Sequence, residues 1–152
     1  MFVYRITQTE ERARDLSGTG AFLYGGRWNS AGIYMLYTSM NSSLAYLETL
    51  VHFNELNMPS RLYITQLELG GSLIDQVPDR DYPEFWRQPD NIETQALGDS
   101  WMRANKYLGF EVKSAINPSE FNFLLNPLFP RFHDLVKITL VMPLEIDTRL
   151  FR

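Results

Sequence analysis

The stretch that decides the fold is GGRWNSAGIYMLYTSMNSSLAYLE, residues 25–48. A glycine-rich turn leads into Ile33–Thr38, whose aromatic and branched side chains are typical of a β-strand. Ser39 then has the side chain of a helix N-cap, and the spacing predicts a helix over Met40–Asn54. Turn, strand and helix therefore follow one another within a single short unit.

This unit carries three dissimilar polar groups. Arg27 lies in the glycine-rich turn, Tyr37 lies near the end of the predicted strand, and Glu48 lies on the predicted helix. Tyr34 and Tyr37 are three residues apart and so face opposite sides of a strand, which allows at most one of them to reach a given cleft. Tyr37 is the better candidate because it is nearer the C-terminal end of the strand, with core packing as the alternative. The order of the elements brings a cation, an aromatic hydroxyl and an anion toward one crevice, which indicates a site for a charged ligand.

The rest of the chain predicts one α+β domain over residues 1–152, with a mixed sheet and flanking helices. Residues 18–32 hold five of the nine glycines, which fits a flexible connection and a close approach of backbone to ligand equally well. Asp99 and Arg103 are expected to pair on the solvent side of a helix. The strands are predicted over Phe2–Ile6, Arg61–Leu69, Ser72–Val77, Phe110–Ala115 and Leu135–Met142, and the further helical segments over Thr9–Leu16 and Ile92–Tyr107. Phe121–Leu125 is a short apolar segment.

Charge and composition exclude several classes of protein. The 14 Lys and Arg residues are scattered and outnumbered by 18 Asp and Glu, which argues against direct nucleic-acid binding. Cysteine is absent, which excludes metal sites built from thiolates. A cytoplasmic location is expected, because the N-terminus lacks a signal-peptide layout. Residues 28–47 carry no charge but are too rich in Ser, Asn and Thr for a membrane span.

Glu48 is the strongest candidate for chemistry. By helical spacing it shares a sector with three apolar residues, Leu44, Leu47 and Val51. An ionised carboxylate that faces a core must be paired, hydrogen-bonded or functional. The alternative is a structural ion pair with Arg27 or His52.

Other candidates are less specific. Arg27 has the planar fork that clamps a phosphate or carboxylate, although a lone arginine is more often a surface residue. His52 and His133 are the only histidines and formally allow a two-histidine nuclease. No cluster has metal-ligand spacing, so no metal is expected.

Several separately spaced motifs resemble those of the RES domain family. That family is named for an arginine, a glutamate and a serine, which here match Arg27, Glu48 and Ser114. The resemblance covers most of the chain and rests on residues 25–29, Tyr37-Thr38, Leu47-Glu48, Thr94-Gln95, residues 98–101, Lys113-Ser114-Ala115, Asn122 and Leu125-Asn126-Pro127. Lys113 stands where a proline is common, and Phe129 stands where a histidine is expected.

The resemblance implies an ADP-ribosyltransferase-like fold with a mainly antiparallel sheet. It also implies a bacterial toxin that cleaves the nicotinamide–ribose bond of NAD, its substrate, by hydrolysis or phosphorolysis, and that an Xre-type antitoxin neutralises. The implied catalytic residues are Glu48, Arg27 and Tyr37, and the implied NAD-binding residues are Arg27, Trp28, Tyr37, Ser114, Asn122 and Asn126.

Three alternatives stay open at this point. The same site suits a protein ADP-ribosyltransferase, or a nucleotide-binding module without turnover, and the two histidines allow an RNA-directed toxin. Aromatic residues around Phe85-Trp86 and over 129–132 are candidates for a homodimer or antitoxin contact.

Overall fold

Seven strands form one sheet in the computed structural model, which describes residues 1–71 and 73–151. The strands are β1 (Phe2–Thr7), β2 (Leu36–Ser39), β3 (Arg61–Leu69), β4 (Ile74–Gln76), β5 (Gly109–Lys113), β6 (Phe121–Leu125) and β7 (Val136–Glu145). The helices are α1 (Glu10–Arg14), α2 (Thr19–Tyr24), α3 (Ser42–Leu50), α4 (Ile92–Ala104) and α5 (Phe132–Leu135), with 3-10 turns at Asp79–Asp81 and Thr148–Phe151.

The strand order is β4-β5-β6-β2-β1-β3-β7, and every pair except the parallel β4–β5 pair is antiparallel. The prediction of an α+β domain with a mixed, mainly antiparallel sheet is therefore confirmed. Side chains of β6 alternate between two apolar clusters, with Phe123 and Leu125 in one and Leu124 in the other. The sheet thus has a core on each face.

The predicted elements are largely present, with shifted ends. The strand predicted from Ile33 begins at Leu36, and Tyr34 instead stacks on Phe22 ahead of the strand. The strand predicted over Ser72–Val77 is β4, Ile74–Gln76, and Ser72 lies outside the described residues. The glycine-rich stretch 18–32, which was predicted to be a loop, contains the short helix α2.

The prediction for α3 was wrong in its cap and in its buried face. Asn41, not Ser39, caps this helix, because its Oδ1 accepts a hydrogen bond from the Leu44 amide at 2.8 Å. Ser39 is the last residue of β2. Leu47 and Val51 are exposed, and the buried residues are Leu44 and Ala45. No helix of the described residues has the length and apolar character to cross a membrane.

Candidate functional site

A cleft of about 680 Å³ is lined by residues of β1, β2, β6 and α3 and of the loop between α2 and β2. Arg27, Tyr37 and Glu48 all line this cleft, so the structure brings the three predicted catalytic residues together. Trp28 and Asn122 line it as well. The short unit singled out in the sequence therefore does form one wall of a concave site.

Glu48 is held by two hydrogen bonds that end on the same carboxylate oxygen. The Ser114 hydroxyl donates to Oε1 at 2.7 Å, and the Asn122 side-chain amide donates to Oε1 at 2.6 Å. The alternative of an ion pair with Arg27 or His52 is not seen among residues 1–71 and 73–151. Glu48 is thus a fixed, half-buried carboxylate at a cleft, held by neutral donors.

Ser114 makes contacts that differ from the implied role in binding the nicotinamide ribose. It is fully buried, and its oxygen accepts hydrogen bonds from the amides of Ile116 and Asn117, both at 3.1 Å. Its own proton goes to Glu48. The hydroxyl is therefore used inside the protein, where it positions Glu48.

Lys113 does not displace Ser114 from that contact. Its backbone amide donates to the Tyr82 hydroxyl at 2.8 Å, a bond that a proline at this position would lack. Its ammonium lies 2.8 Å from an Asp79 carboxylate oxygen and over the Tyr82 ring. The lysine thus ties the loop around residue 80 to the end of β5.

Arg27 lies in the loop between α2 and β2, and its Nη1 donates to the Arg87 carbonyl at 2.5 Å. The loop is tight: Gly25 has a positive φ of 72°, a conformation that favours glycine. A Cβ at Gly26 would lie 2.6 Å from the Tyr37 hydroxyl oxygen. The two glycines before Arg27 are therefore required by backbone conformation and by close packing.

Tyr37 holds this loop from the sheet. Its hydroxyl donates to Asn29 Oδ1 at 2.7 Å and accepts from the Trp28 amide at 3.0 Å. Burial is the main cause that raises the pKa of Tyr37 well above its ordinary value, so the hydroxyl stays protonated at neutral pH. The phenol is neutral and engaged with the protein, which makes it a positioning group for the loop.

Helix α4 supports the same loop from the other side. The ring of Trp28 stacks on Trp101, with centroids 5.4 Å apart. Asp99 accepts from the backbone amide of Ser30 at 2.9 Å and also from its hydroxyl. The prediction of a solvent-side Asp99–Arg103 pair was wrong, because Asp99 is 5% exposed and faces the loop.

Asn126 is not among the residues that line the cleft. Its side-chain nitrogen donates to Asn105 Oδ1 at 2.8 Å and to the Met102 carbonyl, and its Oδ1 accepts from the Leu128 amide. It therefore joins the end of α4 to the turn after β6. Phe129, the second departure from the family pattern, packs against the apolar cluster on one face of the sheet.

Two arginines that line the cleft, Arg5 and Arg12, were not among the residues predicted from the sequence. Arg5 of β1 donates from Nη1 to the carbonyls of Arg12 and Asp15, and Arg12 also lines the cleft. Burial lowers the pKa of Arg5 to about 10, which leaves it cationic at neutral pH. Strand alternation puts Arg5 on the side of buried Val3, the sheet face opposite to Ser39 and Asn122, so local pattern gave no signal that it lines the cleft.

The two histidines do not share the cleft. His52 lines it, whereas His133 lies on α5 against Phe132 and is not among the lining residues. In the described part of the chain, no group of three or more His, Asp or Glu side chains is arranged to hold a metal ion.

Comparison with known proteins identifies the family of this chain. The family model described as "RES domain" matches residues 2–147. The chain belongs to the RES domain family. This RES domain is 35% identical over 151 residues to a protein named Toxin Res from Yersinia enterocolitica serotype O:8, with 99% of each chain covered. It is 33% identical over 122 residues to a Prs ADP-ribosylating toxin of Sphingobium sp. strain YBL2, covering 78% of this chain and 76% of that protein.

A solved structure shares the fold of this RES domain. A chain in the crystal structure of the M. tuberculosis MbcT-MbcA toxin-antitoxin complex superposes with a TM-score of 0.73 and 16% identity. The match covers 95% of this chain and 84% of that chain. At this level of identity the likeness establishes the fold of the RES domain.

Proposed function

We propose that this RES domain is a toxin that binds NAD in the cleft and breaks the bond between nicotinamide and ribose. The observation that carries the proposal is the carboxylate of Glu48, fixed at the cleft by Ser114 and Asn122 and facing the same space as Arg27. Relatives named Toxin Res and the family motifs support the assignment to a toxin.

One carboxylate is sufficient for this chemistry. The nicotinamide of NAD is a cationic pyridinium that leaves as a neutral molecule, so the leaving nitrogen needs no proton. Positive charge then develops on the ribose, and a preorganised anion next to it stabilises the transition state. Glu48 supplies that anion, and its Oε2, which accepts no hydrogen bond from the described part of the chain, suits a ribose hydroxyl.

Arg27 fits the pyrophosphate of the dinucleotide. Its guanidinium is anchored by one nitrogen to the Arg87 carbonyl, which fixes the plane of the fork beside the cleft. Charge-assisted hydrogen bonds to phosphate would hold NAD so that the ribose C1′ lies near Glu48, which is a positioning effect. Tyr37 and Trp28 take part through the loop that carries Arg27.

A protein ADP-ribosyltransferase is the second candidate, because one relative is named a Prs ADP-ribosylating toxin. Water, phosphate and a protein side chain would all attack the same ribosyl intermediate. Mass analysis of the product formed with and without phosphate, and with candidate protein acceptors, separates the three reactions.

An antitoxin is the proposed partner, since the solved relative lies in a toxin-antitoxin complex and the family resemblance implies an Xre-type protein. The aromatic patches considered for self-association are mostly internal: Trp86 packs near Trp28, and Phe132 is buried. Phe85 is 62% exposed and remains a candidate contact for a homodimer or antitoxin.

The test replaces Glu48 by glutamine. The new side chain keeps an oxygen for Ser114 and Asn122, so the change removes the charge and preserves the acceptor. We expect NAD to bind while the rate of nicotinamide release falls about 100- to 1,000-fold, the usual loss for one preorganised electrostatic group.

Glu55→Gln is the matched control. Glu55 is exposed and lies outside the cleft, so this variant is expected to release nicotinamide at the wild-type rate. Near-normal turnover by the Glu48→Gln protein would remove Glu48 from its assigned role.

A further inference from the structure

We propose that Ser39 and Asn122 act as a positioning pair that orients the catalytic carboxylate of Glu48. The inference rests on the function proposed above and deepens it. Ser39 is outside the family motifs, and within residues 1–71 and 73–151 its hydroxyl is hydrogen-bonded to Asn122 and not to Glu48. It acts through Asn122, whose side-chain nitrogen donates to Glu48 Oε1 at 2.6 Å.

The sheet register makes this pair. Ser39 and Asn122 are direct partners in the antiparallel β2–β6 ladder, so their side chains lie next to each other on the same face. The Ser39 hydroxyl donates to Asn122 Oδ1 at 2.8 Å. Ser39 is 4% exposed, so water has little access to replace this bond.

The direction of the amide follows from these contacts. A side-chain amide has one accepting end and one donating end. The Ser39 hydroxyl occupies the accepting end, which leaves the NH₂ group facing Glu48. If the amide were reversed, Oδ1 would face the carboxylate oxygen, and two acceptors would be opposed. The carboxylate, which can only accept, selects this orientation, and the Ser39 hydroxyl donates to Oδ1 and holds the amide in place.

As a result, the two carboxylate oxygens of Glu48 have different surroundings. Within the described residues, both side-chain hydrogen bonds to Glu48 end on Oε1. The side chain is thereby held from one end, and Oε2 is left for the substrate. Loss of either donor frees the carboxylate to rotate away from the orientation that the developing ribosyl cation requires.

The experiment compares Ser39→Ala, Asn122→Ala and the double variant in steady-state nicotinamide release from NAD. We expect kcat to fall about threefold to tenfold for Ser39→Ala, which removes a hydrogen bond between neutral groups. For Asn122→Ala, which removes a hydrogen bond to a charged carboxylate, we expect a fall of about 10- to 100-fold. KM for NAD should change by less than about twofold in the Ser39 variant, because Ser39 acts on the transition-state group.

The double variant gives the decisive readout. If Ser39 acts through Asn122, then Ser39→Ala adds nothing once Asn122 is alanine. Additive losses, or a change confined to KM, would overturn the proposal. Thermal unfolding of each variant shows that the folded protein is being compared.

Thr65→Val is the control for a buried hydroxyl. Thr65 is fully buried, its hydroxyl donates to the Ala13 carbonyl, and it lies outside the cleft. This variant should lose stability and keep kcat. If wild type releases nicotinamide, Glu48→Gln is slowed as expected, and Ser39→Ala matches wild type, only the positioning pair fails. If wild type releases none, the proposed function itself fails.

Discussion

Substitution of Gly98 by alanine tests how α4 supports the loop that carries Arg27. A Cβ at Gly98 would lie 1.7 Å from the Trp28 carbonyl oxygen and 2.8 Å from its carbonyl carbon. To reach 3.0 Å, below which real Cβ contacts essentially never fall, the helix and the loop must separate by about 1.3 Å. Both obstructing atoms are backbone, so no side-chain rotation relieves the clash.

The magnitude follows from two opposing terms. Overpacking of this kind costs about 1 to 3 kcal/mol, and a backbone clash this short belongs at the upper end. Alanine recovers about 1 kcal/mol of helix propensity over glycine. The net loss in free energy of unfolding is therefore about 2 kcal/mol, which lowers the melting temperature of a chain this size by about 4 to 8 °C.

The clash also acts on the cleft. The Gln95 side chain donates to the Gly26 carbonyl, and Asp99 accepts from Ser30, so the contacts on both sides of Arg27 come from α4. A displaced helix should weaken NAD binding as well as stability.

Thermal unfolding and NAD titration of Gly98→Ala measure the two effects. Gly20→Ala is the matched control for stability, because its Cβ would meet only the end of the Arg12 side chain at 3.7 Å. It should match or exceed wild-type stability, by up to about 1 kcal/mol. A Gly98→Ala protein with wild-type melting temperature and NAD affinity would refute this account of the packing.

Four further variants test separate parts of the site. Arg27→Ala should weaken NAD binding more than it slows turnover at saturating NAD, and calorimetric titration with unchanged affinity would exclude the phosphate contact. Asp99→Asn should lower the free energy of unfolding by about 1 to 3 kcal/mol in chemical denaturation, because an amide cannot accept both Ser30 bonds. The free energy of unfolding of the wild-type protein should fall as the pH rises above about 10, because the pKa of Tyr37 is raised and the folded state keeps a proton that the unfolded state loses. In thermal unfolding, Tyr37→Phe should show a shallower fall. Asn126→Ala should destabilise by about 1 to 3 kcal/mol while the folded fraction keeps its kcat and KM, whereas a raised KM would restore Asn126 as a binding residue.

Local patterns were sufficient for most elements but not for their ends. The strand Arg61–Leu69 was predicted with the observed bounds, because a run of branched and aromatic residues has few alternatives to a buried strand. Phe121–Leu125 was identified only as a short apolar segment, and the structure makes it β6. The start of α3 was missed because Ser39 and Asn41 are both good caps, and only the β2–β6 ladder decides that Ser39 belongs to the strand.

The sequence by itself determined the candidates: glycines before Arg27, a carboxylate on a short helix, and an overall charge unsuited to nucleic acid. The tertiary structure decided which groups meet. Ser114 and Asn122 reach Glu48 from positions 66 and 74 residues away, and Asp99 reaches Ser30 from 69 residues away. Helical and strand periodicity report only which side of an element a residue occupies, whereas these contacts depend on strand order and register, which no local pattern encodes.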